Sequence, residues 1–374
     1  MADIEQVFII GEKAEDALQV AMGQQSMAAG SGDAKGRAMG LIKAAEALAL
    51  MGKFDDAMGQ VQEAQGLSGE LKFEEGSAAA MNAMTTIYAK QGFFEEAIDS
   101  GKDALKMFKK CGFKKGEAVA LNSLAKAYLS KGDAAAAIKA AKESLGVFAS
   151  LGDSLSVAAV YSTVSDAYLV KGDTFRAART IGKAMEVYQG LGDKAKVGSC
   201  YVTMASIEIT GKDFGKVADY AAKATAVATE IGDVKVGGAA ADVLVEMAIA
   251  QGDTIAALNN AKAAAGVYHQ GGDAKGEGNA LVKLGEVLLK GGAYEKAGKV
   301  AEMSLGIFYG INDTEGMQKG KALMDGAKHA KVCQEISNTV AAMEDYTHVP
   351  TKLIVDPGLN TRIQTKYLEA VKSK

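Results

Sequence analysis

Side chains that carry chemistry are scarce in this sequence. Among 374 residues there are three histidines, three cysteines, two prolines and no tryptophan. The histidines are too few and too scattered for a metal site, so we expect none. The cysteines are odd in number and far apart, which favours free thiols in a reducing compartment such as the cytoplasm. Two prolines against 44 glycines fit short helices closed by glycine rather than proline-rich linkers.

Catalytic and cofactor-binding motifs are also missing. The sequence contains no Gly-x-x-x-x-Gly-Lys-Ser/Thr phosphate-binding loop and no nucleophile elbow. Its 46 acidic residues are unremarkable, because carboxylates on helix surfaces are usually solvated. The sequence therefore predicts a protein that is not an enzyme and that uses no cofactor.

Long apolar runs and strong basic charge are absent as well. The longest weakly charged stretch, residues 237–252, contains Asp242 and Glu246, so we expect no membrane span. The first residues lack a basic segment followed by a long apolar one, so we expect no secretion signal. A net charge of −4 argues against a nucleic-acid partner, which needs clustered lysine and arginine.

A forty-residue period runs through almost the whole chain. It is carried by two series of glycines and one of alanines, each spaced by forty residues or a multiple of forty. A fixed period in this range predicts a solenoid, in which each unit buries its apolar face against its neighbours. The three series are Gly52, Gly92, Gly132, Gly172, Gly252 and Gly292; Gly32, Gly112, Gly152, Gly192, Gly232 and Gly272; and Ala17, Ala57, Ala97, Ala137, Ala177, Ala257 and Ala297.

Each unit is predicted to contain two helices, as residues 113–152 illustrate. Apolar residues at three- and four-residue spacing mark one face of a first helix over 116–130 and of a second over 134–150. Between them, Gly132 can end one helix in the left-handed conformation and Asp133 can cap the next. The Gly-Asp pair recurs between later helices, so the same stop and start signal is used repeatedly.

Three further positions of the unit predict how the helices pack. One holds aromatic residues late in each helix, another stays small so that helices can approach, and a third places glycine inside the second helix. We interpret the aromatics as core and the helical glycines as sites of close backbone packing; the alternative is a softer stack that a partner stiffens. The aromatic residues are Phe8, Tyr88, Tyr128, Tyr168, Phe108, Phe148, Tyr188, Tyr268 and Phe308; the small ones Ala64, Ala104, Ser144, Ala184, Ala224, Ala264 and Ser304; the glycines Gly66, Gly146, Gly266 and Gly306.

This pattern resembles the tetratricopeptide repeat family. The family's order of a large residue, Leu, a small residue, Tyr, Gly and two alanines is met by Leu121, Leu124, Ala125, Tyr128, Gly132, Ala137 and Ser144. It is met again by Met81, Met84, Thr85, Tyr88, Gly92, Ala97 and Ala104. The period of forty and the lack of tryptophan are similar to the kinesin-light-chain and spindle-orientation-adaptor branch. One unit departs, with its glycine one place early at Gly211 and Val217 in place of the alanine.

The resemblance implies an all-α, right-handed solenoid of antiparallel helix pairs with about seven full repeats and partial end units. We divide the chain into a partial first repeat (1–32), seven forty-residue repeats (33–312), degenerate capping helices, one or two in number (313–345), and a basic tail (346–374). The tail is predicted to be extended at first and then to form a short helix.

The resemblance also places a partner groove along the first helices. Its stripe includes Ile42, Ser162, Val202 and Val282, and one turn later Glu46, Thr86 and Ser206; the lysine-plus-asparagine clamp of chaperone cochaperones is not matched. The residues we select as groove candidates are Asn82, Asn122, Lys126, Asp166, Asp242, Glu246 and Glu286. The two asparagines would fix a peptide backbone, since an amide donates and accepts hydrogen bonds. The carboxylates make the later part of the groove acidic and favour a basic amphipathic helix as partner.

The chain's own tail has the same basic, amphipathic character. Its candidate docking residues are Ile363, Lys366, Tyr367, Leu368 and Val371. Two alternatives stay open: the tail occupies the groove of its own or a neighbouring copy, or it packs on the last helices as a plain cap.

Three functions fit these expectations. The first is a non-catalytic scaffold or adaptor that binds a partner peptide or helix in the groove. The second is a permanent structural or assembly subunit of a larger organellar or cytoskeletal complex. The third is a regulator that responds to a peptide.

Overall fold

A computed structural model describes residues 14–345, and the surroundings of side chains from 17 to 338. All regular structure in that range is helical. None of these helices is long and apolar enough to span a membrane. The sixteen helices are α1 (Ala14–Ser31), α2 (Ala34–Leu50), α3 (Phe54–Glu70), α4 (Glu74–Gln91), α5 (Phe94–Cys111), α6 (Lys114–Lys131), α7 (Ala134–Ser150), α8 (Ser154–Val170), α9 (Thr174–Gly190), α10 (Lys194–Gly211), α11 (Phe214–Ile231), α12 (Val234–Gln251), α13 (Thr254–Gln270), α14 (Ala274–Lys290), α15 (Tyr294–Gly310) and α16 (Thr314–Asp345).

Each helix packs against the next one along the chain, and short turns make neighbours antiparallel. Most even-numbered helices also pack against the next even-numbered helix, whereas the odd-numbered helices lie farther apart. Helices come closest on the inside of a bend, so α2, α4 and their even-numbered successors line the concave face. The all-α solenoid of about seven forty-residue repeats, with partial units at its ends, is confirmed.

The turns between helices repeat every twenty residues. Each contains one residue with positive φ, usually the glycine of the repeat, as at Gly132 (φ 89°). The carboxylate of Asp133 then accepts a hydrogen bond from the amide of Ala136 at 3.0 Å, capping the next helix. In the divergent unit the early Gly211 does not take this role. It remains the last residue of α10, and Lys212 adopts the left-handed conformation instead (φ 60°).

The core follows the predicted positions of the second helices. The position that holds a small residue in each second helix is fully buried in every repeat, from Ala64 in α3 to Ser304 in α15. Phe108 and Phe308 are fully buried as well. In the first helices Tyr88 and Tyr128 are only partly buried, so there the core interpretation applies in part. Phe8 lies outside the described residues.

The interpretation of the helical glycines is wrong. A Cβ built on Gly66, Gly146, Gly266 or Gly306 would meet nothing within 4 Å. These positions therefore face open space, and no close approach of two backbones requires them. The close-packing glycines lie instead in the first helices: a Cβ on Gly116 would stand 2.4 Å from the Phe108 ring.

The ends of the described chain differ from its middle. The segment 314–345, for which we expected one or two capping helices, is the single continuous helix α16. The tail 346–374, with all five candidate docking residues, lies outside the described residues.

Candidate partner groove

The concave face contains a pocket of about 500 Å³. Its walls come from the five successive inner helices α2, α4, α6, α8 and α10. Between α8 and α10 it reaches through to the outer layer, where Phe148, Ile181 and Tyr188 contribute to its floor. Asn82, Asn122, Lys126 and Asp166 all line it, so four of the seven groove candidates share one cavity.

The repeat changes at the point where the pocket opens. In α6 and α14 a glycine near the start of the inner helix, Gly116 or Gly276, receives the aromatic ring of the preceding outer helix. At the same register α8 has Ser156 and α10 has Lys196, and both side chains line the pocket. Among consecutive inner helices, α8 and α10 approach each other least.

Two asparagine oxygens in the pocket have no hydrogen-bond partner among residues 17–338. The Asn82 side chain is 2% exposed, and its Oδ1 accepts no hydrogen bond. The Oδ1 of Asn122, one repeat farther along, is buried and unpartnered in the same way. Such an oxygen costs about 1–3 kcal/mol relative to one that is satisfied. Two buried acceptors, forty residues apart, therefore lie unsatisfied in side chains that line the pocket.

Three ionisable side chains line the pocket together with these amides. None of Glu46, Lys126 and Asp166 makes an ion pair within 4.0 Å inside the described part of the chain. Burial raises the pKa of the Glu46 carboxyl to about 8, against the opposing charges of Lys126 and Lys43. Burial likewise raises the pKa of Asp166 and lowers that of Lys126, although each carries the other's counter-charge. The groove thus shifts the pKa values of three side chains that it leaves without an ion pair in residues 17–338, although Lys126 and Asp166 remain exposed to solvent.

The candidates of the later part of the groove have partners. The Nζ of Lys283 lies 2.9 Å from the Glu246 carboxylate and 3.5 Å from that of Asp242. The hydroxyl of Tyr268 donates a hydrogen bond to Asp242 at 3.0 Å. Two of the carboxylates that we expected to attract a basic helix therefore share the counter-charge of one lysine of the chain. Glu286, three residues after Lys283 on α14, is exposed and makes no ion pair within 4.0 Å in residues 17–338.

Several residues of the pocket were not predicted from the sequence. Lys196, Tyr188 and Cys200 line the cavity but were not selected; the loss of the repeat glycine at Ser156 and Lys196 was the available signal. Burial raises the pKa of the Cys200 thiol to about 12, which keeps it protonated and unreactive at neutral pH.

A second missed feature is a histidine–cysteine pair. Cys333 Sγ lies 3.8 Å from His329 Nδ1, one turn apart on the exposed face of α16. In residues 17–338 no third histidine, cysteine or carboxylate completes a metal site there or elsewhere.

Comparisons with known proteins agree with this architecture. Residues 76–150 match the model of the tetratricopeptide repeat family, so the resemblance seen in the repeat is confirmed. No curated protein sequence gives a significant match.

Solved structures with the same fold share little sequence with this chain. A Rap protein complexed with competence and sporulation factor has a TM-score of 0.51 at 12% identity, covering 91% of this chain and 100% of that one. A Pyrococcus horikoshii signal transduction ATPase with a tetratricopeptide repeat sensor has a TM-score of 0.51 at 15% identity (83% and 50%). Aspartyl phosphate phosphatase F from Bacillus subtilis has a TM-score of 0.50 at 11% identity (80% and 73%). These similarities show the tetratricopeptide-type solenoid fold.

Proposed function

We propose that this protein is a non-catalytic interaction scaffold that binds a peptide segment of a partner in its inner pocket. The observation that carries the proposal is the pair of buried, unpartnered Oδ1 atoms of Asn82 and Asn122. Leaving them unsatisfied lowers the stability of the free protein, and a bound ligand removes that cost. Sites that bind are often the places where a fold accepts such a local cost.

An extended peptide fits the pocket better than a long helix. Its backbone exposes N–H groups that two asparagine oxygens on neighbouring helices can accept, whereas a helix has used its own. The cavity of about 500 Å³ holds a few residues rather than a whole helix. Lys126 and Lys196 offer positive charge and Asp166 negative charge to the peptide's side chains, whereas Glu46, with a pKa of about 8, offers a protonated carboxyl near neutral pH.

A selected peptide tests the proposal. A random dodecapeptide library displayed on phage is panned against the full chain, and the tightest binder is synthesised with a fluorophore as the probe peptide. By fluorescence anisotropy, Asn82→Leu and Asn122→Leu should each weaken binding about tenfold, as expected for one lost hydrogen bond. Glu286→Gln is the matched control: it removes a charge from the groove outside the pocket and should leave the affinity unchanged.

The peptide backbone supplies a second, independent check. N-methylation of one peptide amide at a time removes one N–H donor. At the position that bonds Asn122, N-methylation and Asn122→Leu should not weaken binding additively, because both remove the same contact. If no peptide is recovered, or if both asparagine variants bind it as the wild type does, the pocket is not the peptide site.

The remaining candidate functions predict different behaviour. A permanent assembly subunit would stay bound to its partner through high-salt washes, whereas an exchanging adaptor would be released. A peptide-responsive regulator would gain several degrees of thermal stability from the peptide alone. The Rap structure was obtained with competence and sporulation factor bound, but that likeness extends only to the fold.

The basic tail is a further proposed occupant of the groove. Deleting residues 346–374 should then raise the affinity for the probe peptide and increase the protease sensitivity of the inner helices. If neither changes, the tail does not dock in the groove.

A further inference from the structure

The two ends of the solenoid meet. The α2–α3 turn and the α15–α16 turn are about 260 residues apart in sequence, yet a Cβ built on Gly52 would lie 3.8 Å from the carboxylate oxygen Oδ1 of Asp313. We call the contact of these two turns, Met51–Lys53 and Asn312–Asp313, the closure seam. By contrast, a Cβ on Gly132, at the same turn position two repeats later, meets nothing within 4 Å.

The burial of Asp313 supports this contact. Its side chain is 3% exposed, and it pairs with Lys275 of the preceding repeat at 2.9 Å. The corresponding pair in the middle of the solenoid, Lys115 and Asp153, leaves the aspartate 22% exposed. An aspartate beside the last helix should be more exposed than one with full repeats on both sides. The additional cover is therefore the α2–α3 turn.

The electrostatics of Lys90 point to the same approach. Lys90 lies in the last turn of α4, while Lys275 and Glu315 lie in the first turns of α14 and α16. The pKa of Lys90 is lowered by burial and by the charge of Lys275, and Glu315 opposes the shift. The last turn of α4 thus faces the first turns of α14 and α16, beside the closure seam.

We propose that the closure seam is a latch that holds the solenoid as one closed turn and regulates the inner pocket. The regulatory half of this inference rests on the proposed peptide-binding function; the closure itself does not. The connection is short: α2 carries Glu46 in the pocket and runs directly into the seam turn, and α4 carries both Asn82 and Lys90. Opening the seam frees these two helices, which form one wall of the pocket. A ligand that binds the closed form more tightly will in turn strengthen the seam.

A charge pair at one position tests the latch. Gly52→Lys and Gly52→Glu impose the same left-handed strain, and Lys72 and Lys212 show that lysine is accepted in this turn (φ 50° and 60°). Beside the Asp313 carboxylate, lysine should hold the seam closed and glutamate should open it. The Gly52→Glu protein should have a larger radius of gyration by small-angle X-ray scattering, and its first α16 amides should exchange hydrogen about tenfold faster. Gly132→Lys and Gly132→Glu are the matched controls and should not differ from each other.

Each outcome decides one part of the inference. If lysine and glutamate at position 52 differ no more than they do at 132, the seam does not close in solution and the latch is wrong, whatever the protein binds. If they differ, the probe peptide should bind Gly52→Glu about tenfold more weakly than Gly52→Lys. Equal peptide affinities would mean that the closure seam closes the solenoid but does not control peptide binding in the pocket. Failure to recover any peptide would count against the proposed function and the regulatory half, and the scattering result would stand.

Discussion

From α2 to α10 the inner groove leaves polar groups without partners, whereas from α12 to α14 it pairs them within the chain. The contrast is clearest at two positions of the same register, one hundred and sixty residues apart. Asn82 Oδ1 has no polar partner in residues 17–338, while Asp242 accepts the hydroxyl of Tyr268 at Oδ2 and has the Nζ of Lys283 3.5 Å from its Oδ1, although that Oδ1 accepts no hydrogen bond. A repeat can therefore keep its backbone geometry and still change a groove position from open to occupied by altering its neighbours.

The lysines of the two regions show the same difference. Burial lowers the pKa of Lys126, because its counter-charges do not come within ion-pair distance. Burial also acts to lower the pKa of Lys283, but its contacts with Asp242 and Glu246 outweigh that effect and raise it. A charge that the chain leaves unpaired is available to a ligand, so the first region is the better binding surface.

The largest expected difference is between leucine substitutions at Asp242 and at Asn82, the two positions of the same register. Asp242→Leu should destabilise the protein by about 2–3 kcal/mol, because Tyr268 loses its acceptor and Lys283 one of two counter-charges. Asn82→Leu should be neutral or stabilise by up to about 1 kcal/mol, because it removes an unsatisfied oxygen. Urea unfolding with hydrogen exchange localises each effect, since repeat arrays need not unfold in one step. Equal destabilisation by both variants would remove the contrast.

The pH dependence of Glu46 gives the next largest effect. Its pKa is raised from 4.5 to about 8 in the folded protein, so the folded state holds a proton that the unfolded state releases. The stability of the wild type should fall as pH rises from about 4.5 to 8 and then level off. Glu46→Gln should lack this loss and be about 2 kcal/mol more stable than the wild type at pH 9, less than the full shift implies because the groove is open to water.

Glu246→Gln, at the same register in the paired region, is the control for that experiment. Its carboxylate contacts Lys283 at 2.9 Å, so replacing it should lower stability near neutral pH rather than relieve a loss. If Glu46→Gln and the wild type keep the same difference in stability from pH 5 to 9, Glu46 is hydrated and the groove does not bury it.

Two tyrosines at equivalent positions sharpen the comparison. Tyr268→Phe should cost about 1.5 kcal/mol, because the lost hydrogen bond was to a carboxylate. Tyr188→Phe should cost about 0.5 kcal/mol, because the Tyr188 hydroxyl interacts with the neutral Ser162. Thermal unfolding of the two variants measures the difference, and a larger loss for Tyr188→Phe would contradict it.

The smallest effect is expected from glycines that have no packing role. Gly146→Ala and Gly266→Ala should each stabilise by about 0.5–1 kcal/mol, because alanine is the better helix former and its Cβ meets nothing. Gly146 belongs to the first region and Gly266 to the second. Equal increases in stability would show that the two regions do not differ at positions outside the groove. A loss of stability at either site would show that the helix is packed against something there.

Much of the fold could be predicted because it is encoded locally. The turn at Gly132 needs a residue that tolerates positive φ, and Asp133 caps the next helix with its own side chain. The small slot from Ala64 to Ser304 stays buried because every repeat meets its neighbour in the same way. Where the local signal was ambiguous, prediction failed: Gly211 was taken for the turn residue, although Lys212 adopts that conformation.

The candidate site was predicted less completely. Register alone brought Asn82, Asn122, Lys126 and Asp166 onto one stripe, and they do share a pocket. The repeat register did not predict that Lys283 forms ion pairs with Asp242 and Glu246. Those contacts depend on the side-chain rotamers of neighbouring helices. For the same reason the sequence did not reveal that Gly66 and its equivalents face open space, which only the packed structure shows.

The sequence by itself determined the period, the helix pairs and the small and aromatic positions, because each depends on contacts within a repeat or with the next one. The tertiary structure decided where the inner helices separate, which acceptors stay unpartnered and whether the first and last repeats touch. Those outcomes arise from small rotations between units that accumulate over seven repeats. The approach of the Gly52 turn to Asp313, about 260 residues apart, results from those accumulated rotations. No single repeat encodes their total.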